Sequence, residues 1–378
     1  MQPLNILEIV SGGFGGGSSR QAYLLTKGLH QRGHKVKLAC SRRESEGYQK
    51  MAQDAAAAGL PLVDIPMTGE GDFHSIKALR ALMHREKFDI VHAHKATAHT
   101  LAFLALLFSP PKPKPRLVVQ RGVIFPLRKN PFSKIKYRWG VAKIVAVSLG
   151  VKAALLEGGI REDNIEVIYN GVDLELFVPQ LDGTPVKSSL GVPGDSPVVT
   201  IIGNQYPHKG HQYFLEAAAR VKPEFPRAHY LIVGGGDDAF SLELQQKTRE
   251  LGLNDRVIFT GSREDIPRIL AATDILVNAS LQEGLPGTVQ EASAMARPVV
   301  ATKVGGNPEA VLHGQTGLLV PPRDPPSMAT AIISLLENPS QARAMGAAGR
   351  QLMEEKFSHQ RRVDLTENLF YRLLENES

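Results

Sequence analysis

The chain has 378 residues, 43% of them apolar and 22% charged, with a formal net charge of +6. That length exceeds one ordinary core and suits two α/β domains, and the composition excludes disordered and collagen-like classes. The single cysteine, Cys40, excludes an intrachain disulfide and a four-cysteine zinc site.

Met1-Gln2-Pro3-Leu4-Asn5 runs into a strand-like stretch, Leu4 to Val10, without the basic region and cleavage site of an export signal. A Gly-rich turn, Ser11 to Gly17, precedes a helix expected from Ser18 to Arg32 and stopped by Gly33; Lys35 to Cys40 is the next strand. Further strands are expected at 61–65, 89–93, 116–120, 143–147 and 165–169, with helices between them, one capped by Ser148. The longest apolar run, Leu101 to Phe108, is cut off by Ser109-Pro110-Pro111 and falls short of a membrane span, so the cytoplasm is the expected address.

From Val178 to Pro197 the pattern gives way to Pro, Gly, Ser and Asp, which predicts an interdomain linker. The alternation then restarts with strand Val198–Gly203, helix Gly210–Val221 and strand His229–Val233, followed by the Gly234-Gly235-Gly236 turn. Helices at 240–251, 265–272 and 287–296 alternate with strands at 256–260, 274–279 and 298–301, and the last twenty or so residues read as helix. Two such halves predict two doubly wound parallel-sheet domains with ligand sites at the carboxyl ends of their strands. The boundaries expected are 1–178 and 179–357, with a helix at about 358–378 packing back on the first.

The sharpest local signal is Glu283-Gly-Leu-Pro-Gly-Thr-Val-Gln-Glu291. Gly284, Pro286 and Gly287 bend the backbone after a strand and open a helix whose first N–H groups are a natural seat for phosphate. Glu291, about a turn in, is placed to accept hydrogen bonds from the vicinal hydroxyls of a ribose, and Glu283 to reach a sugar ring. Taken alone, the spacing favours the bland reading, in which Glu291 is a solvated helix-start Glu and Glu283 a loop charge.

The surrounding residues decide between these readings. The block is followed by Pro298-Val-Val-Ala-Thr, Gly305-Gly306-Asn-Pro-Glu309 and Gly314-Gln-Thr-Gly317-Leu-Leu-Val-Pro321. It is preceded by Gly16-Gly17, Arg32-Gly33-His34-Lys35-Val36, Asp89-Ile-Val-His-Ala-His94, Val145-Ala-Val-Ser148, Val167-Ile-Tyr-Asn-Gly-Val-Asp173 and Lys209-Gly210. In this order the set resembles the retaining glycosyltransferases of family 4, over nearly the whole chain. The resemblance implies a GT-B fold, two Rossmann-like domains facing across a cleft, with an N-terminal acceptor domain and a C-terminal nucleotide-sugar donor domain. It further implies that Lys209 neutralises the donor pyrophosphate and that the N–H groups near Leu285, Pro286, Gly287 and Thr288 cradle it. Glu291 would hold the ribose, and Glu283 the transferred sugar or its developing charge. Stabilising the nucleoside diphosphate leaving group is then the largest catalytic term.

Gly12 to Gly17 lacks a P-loop ending, and its strand–loop–helix context makes it a phosphate-approach loop in which Gly15 also touches the acceptor. The second strand ends at Ala39-Cys40-Ser41 with Arg42-Arg43 beyond, without the acidic residue of a dinucleotide site. His92, His94 and His99 invite a metal, but no third ligand or carboxylate is expected nearby and no Asp-x-Asp is present; a metal-independent site is expected, with His94 packing or lining the acceptor pocket. No cofactor is expected. The chain departs from the family pattern at Val118-Val119-Gln120-Arg121-Gly122, where many members carry a His, and at Asn204, where they carry an Arg. Arg121 and His208 are the candidates to stand in.

Between Asp89 and Glu157 lie twelve Lys or Arg and no acidic residue, so that stretch carries +12 and the remainder −6. Such asymmetry implies an anionic partner, with nucleic acid disfavoured by the scarcity of aromatics. Within it, Phe132, Ile135, Trp139 and Ala142 form one stripe flanked by Lys134, Lys136, Arg138 and Lys143. The stripe either faces the core or lies on a membrane surface. The expected function is transfer of a sugar, with retention, from a nucleotide diphosphate sugar (UDP favoured) to a glycan or lipid-linked acceptor of the cell envelope, lipopolysaccharide or a glycolipid. The alternatives are a non-catalytic nucleotide-sugar or membrane-surface binding protein and an epimerase of the same fold.

Overall fold

The computed structural model describes residues 2–11, 17–41, 46–107, 111–125, 131–236 and 238–375. The chain divides into two compact units, residues 1–171 with 359–378 and residues 172–358.

The first unit comprises β1 (Asn5–Val10), α1 (Gly17–Gln31), β2 (Lys35–Cys40), α2 (Glu46–Ala57), β3 (Leu62–Asp64), α3 (Phe73–Glu86) and β4 (Ile90–His94). It continues with α4 (Lys95–Leu107), β5 (Arg116–Arg121), α5 (Pro131–Arg138), β6 (Lys143–Ala146), α6 (Leu149–Glu157) and β7 (Ile165–Val167). Its strands pair in parallel in the order β3-β2-β1-β4-β5-β6-β7. Buried runs such as Ile6-Leu7 and Ile9-Val10 are what a strand covered on both faces requires. Ser148 caps α6 by accepting from the Val151 N–H at 3.1 Å.

The second unit contains α7 (Thr184–Ser189), β8 (Val198–Ile202), α8 (His211–Val221), β9 (His229–Val233), α9 (Asp238–Glu250), β10 (Val257–Gly261), α10 (Ile266–Ala272) and β11 (Ile275–Asn278). Then follow α11 (Gly287–Ala294), β12 (Val299–Thr302), α12 (Asn307–Ala310), β13 (Gly317–Val320), α13 (Pro325–Glu337) and α14 (Pro339–Lys356). Its parallel order, β10-β9-β8-β11-β12-β13, repeats the winding of the first sheet. The chain ends in α15 (His359–Glu375), which places Val363, Leu369 and Phe370 in the core of the first unit. Arg32 pairs with Glu367 at 2.6 Å and with Asp364, and His34 Nε2 donates to Glu367 at 2.8 Å, so the Arg32-Gly33-His34 motif fastens this helix.

The segment expected to be a linker is not one. It carries α7, and Val186 and Val192 are buried with Val198, Leu231, Val233, Ile269 and Ala272. Its Pro and Gly content reflects turns within a packed layer. The stripe on α5 is also settled. Phe132 and Ile135 are on the solvent face with Trp139 beyond them, while Ser133, Lys136 and Tyr137 face inward. Among the described residues no helix is long and apolar enough to cross a membrane.

Candidate active site

In each sheet the winding reverses once, between β1 and β4 and between β8 and β11, and a crevice at the carboxyl ends is expected there. In the second unit that position holds a lysine–glutamate pair. Lys209 closes the turn after β8, and its Nζ donates to Glu283 Oε1 at 2.7 Å. The same oxygen accepts from Ser280 Oγ at 2.6 Å and from Asn278 Nδ2 at 3.4 Å. Glu283 is only 9% exposed, so these donors take the place of water around its charge.

Three contacts fix this arrangement. The Leu281 N–H donates to the His208 carbonyl at 2.8 Å, joining the Lys209 turn to the loop after β11. Thr302 Oγ1 donates to the Ser280 carbonyl at 2.5 Å, and Asn307 Nδ2 to Asn278 Oδ1 at 3.1 Å. Gly305 (φ 50°) presses on the bend so closely that a Cβ there would lie 1.7 Å from the Glu283 carbonyl oxygen. Gly210 (φ 74°) likewise allows Ala279 to approach, a Cβ falling 2.0 Å from its carbonyl oxygen. Glycine alone fits both positions.

The bend Gly284-Leu285-Pro286 then opens α11, which has no side-chain cap. Its first-turn N–H groups, from Gly287 and Thr288 onward, form the positive end of the helix. Glu291 is half-buried one turn further along. Asn204 is exposed at the end of β8, where its carbonyl accepts from the Tyr206 N–H at 2.8 Å. Tyr206 stacks on His208 with centroids 5.9 Å apart, and burial followed by Lys209 lowers the His208 pKa. The structure thus gathers Lys209, Glu283 and the bend at 284–288; Ser280, Asn278, Thr302 and Asn307 complete the set and were not singled out from sequence. Their signal was small polar residues repeated at the ends of adjacent strands.

In the first unit, Gly17 starts α1 and is exposed; Gly15 and Gly16 lie outside the described residues. His94 is buried at the end of β4. Its Nε2 donates to Glu8 at 2.5 Å, and His92 Nδ1 donates to the same carboxylate from 3.1 Å. Glu8 is thus a third candidate metal ligand beside His92 and His94, which corrects the expectation that no carboxylate lies near them. Arg362 of α15, also buried, donates to Gln120 Oε1 at 3.0 Å and to the Gln21 carbonyl and Oε1 at 2.6 and 2.9 Å. Burial would raise the Glu8 pKa, but His92 and His94 outweigh it and hold the carboxyl at about 2. Burial, then His92, draws His94 down to about 4, and burial draws Arg362 down to about 10 against the pull of Glu8. At neutral pH the cluster is therefore a carboxylate, a neutral His94 and a guanidinium, closed to solvent. Arg121, at the end of β5, donates to the Tyr137 hydroxyl at 3.1 Å and to the Phe125 carbonyl.

Two parallel-sheet α/β domains of this winding, with a Lys–Glu pair at the switch point of the second, give the chain the GT-B fold found in glycosyltransferases. A family model described as Glycosyltransferase Family 4 matches residues 15–176, and one described as Glycosyl transferases group 1 matches residues 196–338. The chain belongs to this family of glycosyltransferases. It is 29% identical, over 81% of both chains, to UDP-Gal:alpha-D-GlcNAc-diphosphoundecaprenol alpha-1,3-galactosyltransferase of Escherichia coli. It is 28% identical, over 78% of this chain and 77% of the other, to N-acetyl-alpha-D-glucosaminyl L-malate synthase of Bacillus anthracis. In fold it is similar to a glycosyltransferase from Rickettsia africae, with a TM-score of 0.87 at 23% identity over the whole of both chains. It is likewise similar to HepE of Anabaena, solved with UDP and glucose, at a TM-score of 0.83 and 22% identity over 97% and 99% of the two chains.

Proposed function

We propose that this protein transfers a sugar, with retention, from a nucleotide diphosphate sugar to a glycan or lipid-linked acceptor in cell-envelope, lipopolysaccharide or glycolipid synthesis. The carrying observation is the Lys209–Glu283 pair beside the uncapped start of α11. A diphosphate draws Lys209 towards itself and takes hydrogen bonds from the bend at Gly284 to Thr288, with Asn204 at its edge. Glu291 accepts from the ribose hydroxyls. Loss of the nucleoside diphosphate places negative charge on the leaving oxygen, where these donors already point.

Glu283 acts as a stabiliser of the cationic sugar rather than as a nucleophile. Three donors already engage its Oε1, which lowers that oxygen's reactivity and leaves Oε2 to meet the sugar. The acceptor hydroxyl then attacks the face from which the diphosphate departs, and its proton passes to the leaving phosphate oxygen. Gly15, His94 and Arg121 are the acceptor-side residues, His94 being buried and hydrogen-bonded to Glu8. No divalent ion is needed, because Lys209 and the helix N–H groups supply the counter-charge. Arg362, buried and held by Gln21 and Gln120, adds a positive charge within electrostatic reach of Glu8.

A UDP-sugar is favoured as donor and a lipid-linked acceptor as partner, as the names of the Escherichia coli relative and of the Anabaena complex suggest. The basic stretch at 112–143 is read as meeting an anionic membrane, so the protein works from the cytoplasm at the inner face of the cell membrane.

A thermal-shift panel of UDP, GDP, ADP and their sugars tests the donor reading, since a ligand of the folded state raises the midpoint. NMR of the product made from the selected sugar reads the anomeric configuration. Midpoints that ignore every nucleotide would overturn the proposal.

A further inference from the structure

Helix α5 is inverted relative to an ordinary surface helix. One of its lysines is inside: Lys136 Nζ donates to Thr100 Oγ1 at 2.7 Å, lies 3.7 Å from Glu70 Oε2, and stands 5.8 Å from the Tyr137 ring centroid. The Lys136 carbonyl accepts from His99 Nε2 at 3.0 Å, and burial keeps that imidazole neutral by pulling its pKa to about 3. Tyr137 sits edge-on to His99, centroids 4.6 Å apart, and its hydroxyl takes the bond from Arg121.

The apolar side chains are outside. Phe132 is 39% exposed, Ile135 46% and Trp139 72%, with Phe125 at 53% on the preceding loop. An apolar ridge of this kind on a soluble domain marks an interaction surface. Its occupant follows from charge, because the stretch between Asp89 and Glu157 holds twelve basic residues and no acid. Basic residues flanking an aromatic and aliphatic ridge match the surface of an anionic bilayer, which takes cations at its phosphates and rings at the acyl boundary.

We propose that α5 seats side-on in an anionic bilayer surface, inserting Phe132, Ile135 and Trp139, and that Lys136 is a positioning residue that fixes the roll of the helix. The proposal rests on the membrane reading above and adds the inserted residues and the device that aims them. With Lys136 tied to Thr100 and Glu70, and Tyr137 to Arg121, the ridge cannot rotate into the domain.

Trp139 is the only tryptophan, so its emission reports insertion directly. The full-length protein is titrated with vesicles of phosphatidylcholine alone and with vesicles containing phosphatidylglycerol. The expected result is a blue shift, and quenching by brominated acyl chains, with the anionic vesicles only, weakened by salt. Ile135→Ser should reduce vesicle affinity about tenfold. Lys136→Met should reduce it more than Arg138→Gln, which removes an exposed cation without touching the latch; equal effects would reduce Lys136 to a simple charge. A circular-dichroism melt identifies any variant that fails to fold, and Ile135→Ser then carries the test alone. Unchanged Trp139 emission with anionic vesicles, or an equal response to neutral ones, overturns the proposal. The readout needs no sugar, so it stands or falls separately from the nucleotide panel.

Discussion

Lys209 and Glu283 oppose each other in the ligand-free site, and their substitutions should move nucleotide binding in different directions. Lys209→Met removes the cation a diphosphate needs, and a hydrogen bond to a charged group contributes about 1.5–3 kcal/mol. At about 1.4 kcal/mol per tenfold, nucleoside diphosphate affinity should fall about 10- to 100-fold. Glu283→Gln instead removes the competitor that holds Lys209 at 2.7 Å, so the same nucleotide should bind as tightly as before or more tightly, while sugar transfer falls about 100-fold. Stability should be asymmetric too. Side-chain exposure is 28% for Lys209 and 10% for Glu283, so losing the lysine strands a nearly buried carboxylate, whereas losing the carboxylate frees a lysine that water can reach. Breaking a fully buried pair costs about 3–5 kcal/mol; with Lys209 partly solvated, about 2–3 is expected for Lys209→Met and about 1 or less for Glu283→Gln. Calorimetric titration with the nucleotide that most stabilises the parent, and urea unfolding of both single variants and the double variant, read every quantity. If Lys209→Met binds that nucleotide like the parent, or Glu283→Gln abolishes its binding, the diphosphate does not lie where we have put it.

Gly305→Ala should cost about 3 kcal/mol and abolish donor binding, because its Cβ falls 1.7 Å from the Glu283 carbonyl oxygen; Gly194→Ala, with nothing within 4 Å, is the silent control in the same urea assay. Arg362→Met should destabilise by about 1–3 kcal/mol by leaving the Gln21 and Gln120 acceptors without their donor and removing a buried cation within electrostatic reach of Glu8, and adding Glu8→Gln should recover the electrostatic part of the loss; a double variant no better than the single argues against that electrostatic coupling. Burial draws His94 and His211 from 6.5 to about 4 and His99 to about 3. Between those values and 6.5 the unfolded chain binds the extra protons, so stability should fall as pH drops from 6.5 towards 4, by up to about 1.4 kcal/mol per pH unit for each histidine. Glu8, lowered from 4.5 to about 2, loses its contribution only below pH 4.5, so unfolding midpoints that stay flat from pH 6.5 to 4.5 would contradict the buried neutral imidazoles. EDTA should leave the transfer rate unchanged, and a loss restored by magnesium would reverse the metal-independent reading.

The parts legible in sequence were those whose cause is local. Lys35–Cys40 and His229–Val233 are bounded as expected, because a parallel strand covered on both faces is an apolar run with turn residues at each end. The Glu283 bend was legible for the same reason, since strand, glycines and helix start are contiguous. What failed to show was non-local. Glu8 looked like a stray charge in an apolar strand, and only the pairing of β1 with β4 sets it opposite His92, 84 residues away. Residues 178–197 read as linker from composition, whereas Val186 and Val192 pack with Leu231, Val233, Ile269 and Ala272, more than thirty positions further on. For α5 the periodicity was correct but undirected: amphipathicity states that a helix has two faces, and the partners of Lys136 state which one points inward.

The two units use one winding and set a glutamate against cationic or imidazole groups near the switch point of each, yet the outcomes are opposite. In the first, Glu8, His92, His94 and Arg362 are all buried, both histidines already donate to Glu8, and Arg362 is held by Gln21 and Gln120, so an incoming anion would meet a cluster closed to solvent. In the second, the carboxylate is nearly buried but its lysine is reachable, and the adjoining helix start lacks a cap. An anion can therefore exchange places with Glu283 on Lys209 and keep the N–H groups of α11 as well. On the donor reading proposed above, binding there would release a carboxylate as a sugar is delivered beside it, coupling donor capture to the charge that stabilises the departing diphosphate's partner. That coupling needs the pair to be separable, and in this chain only the second unit's exposure pattern makes it so among the described residues.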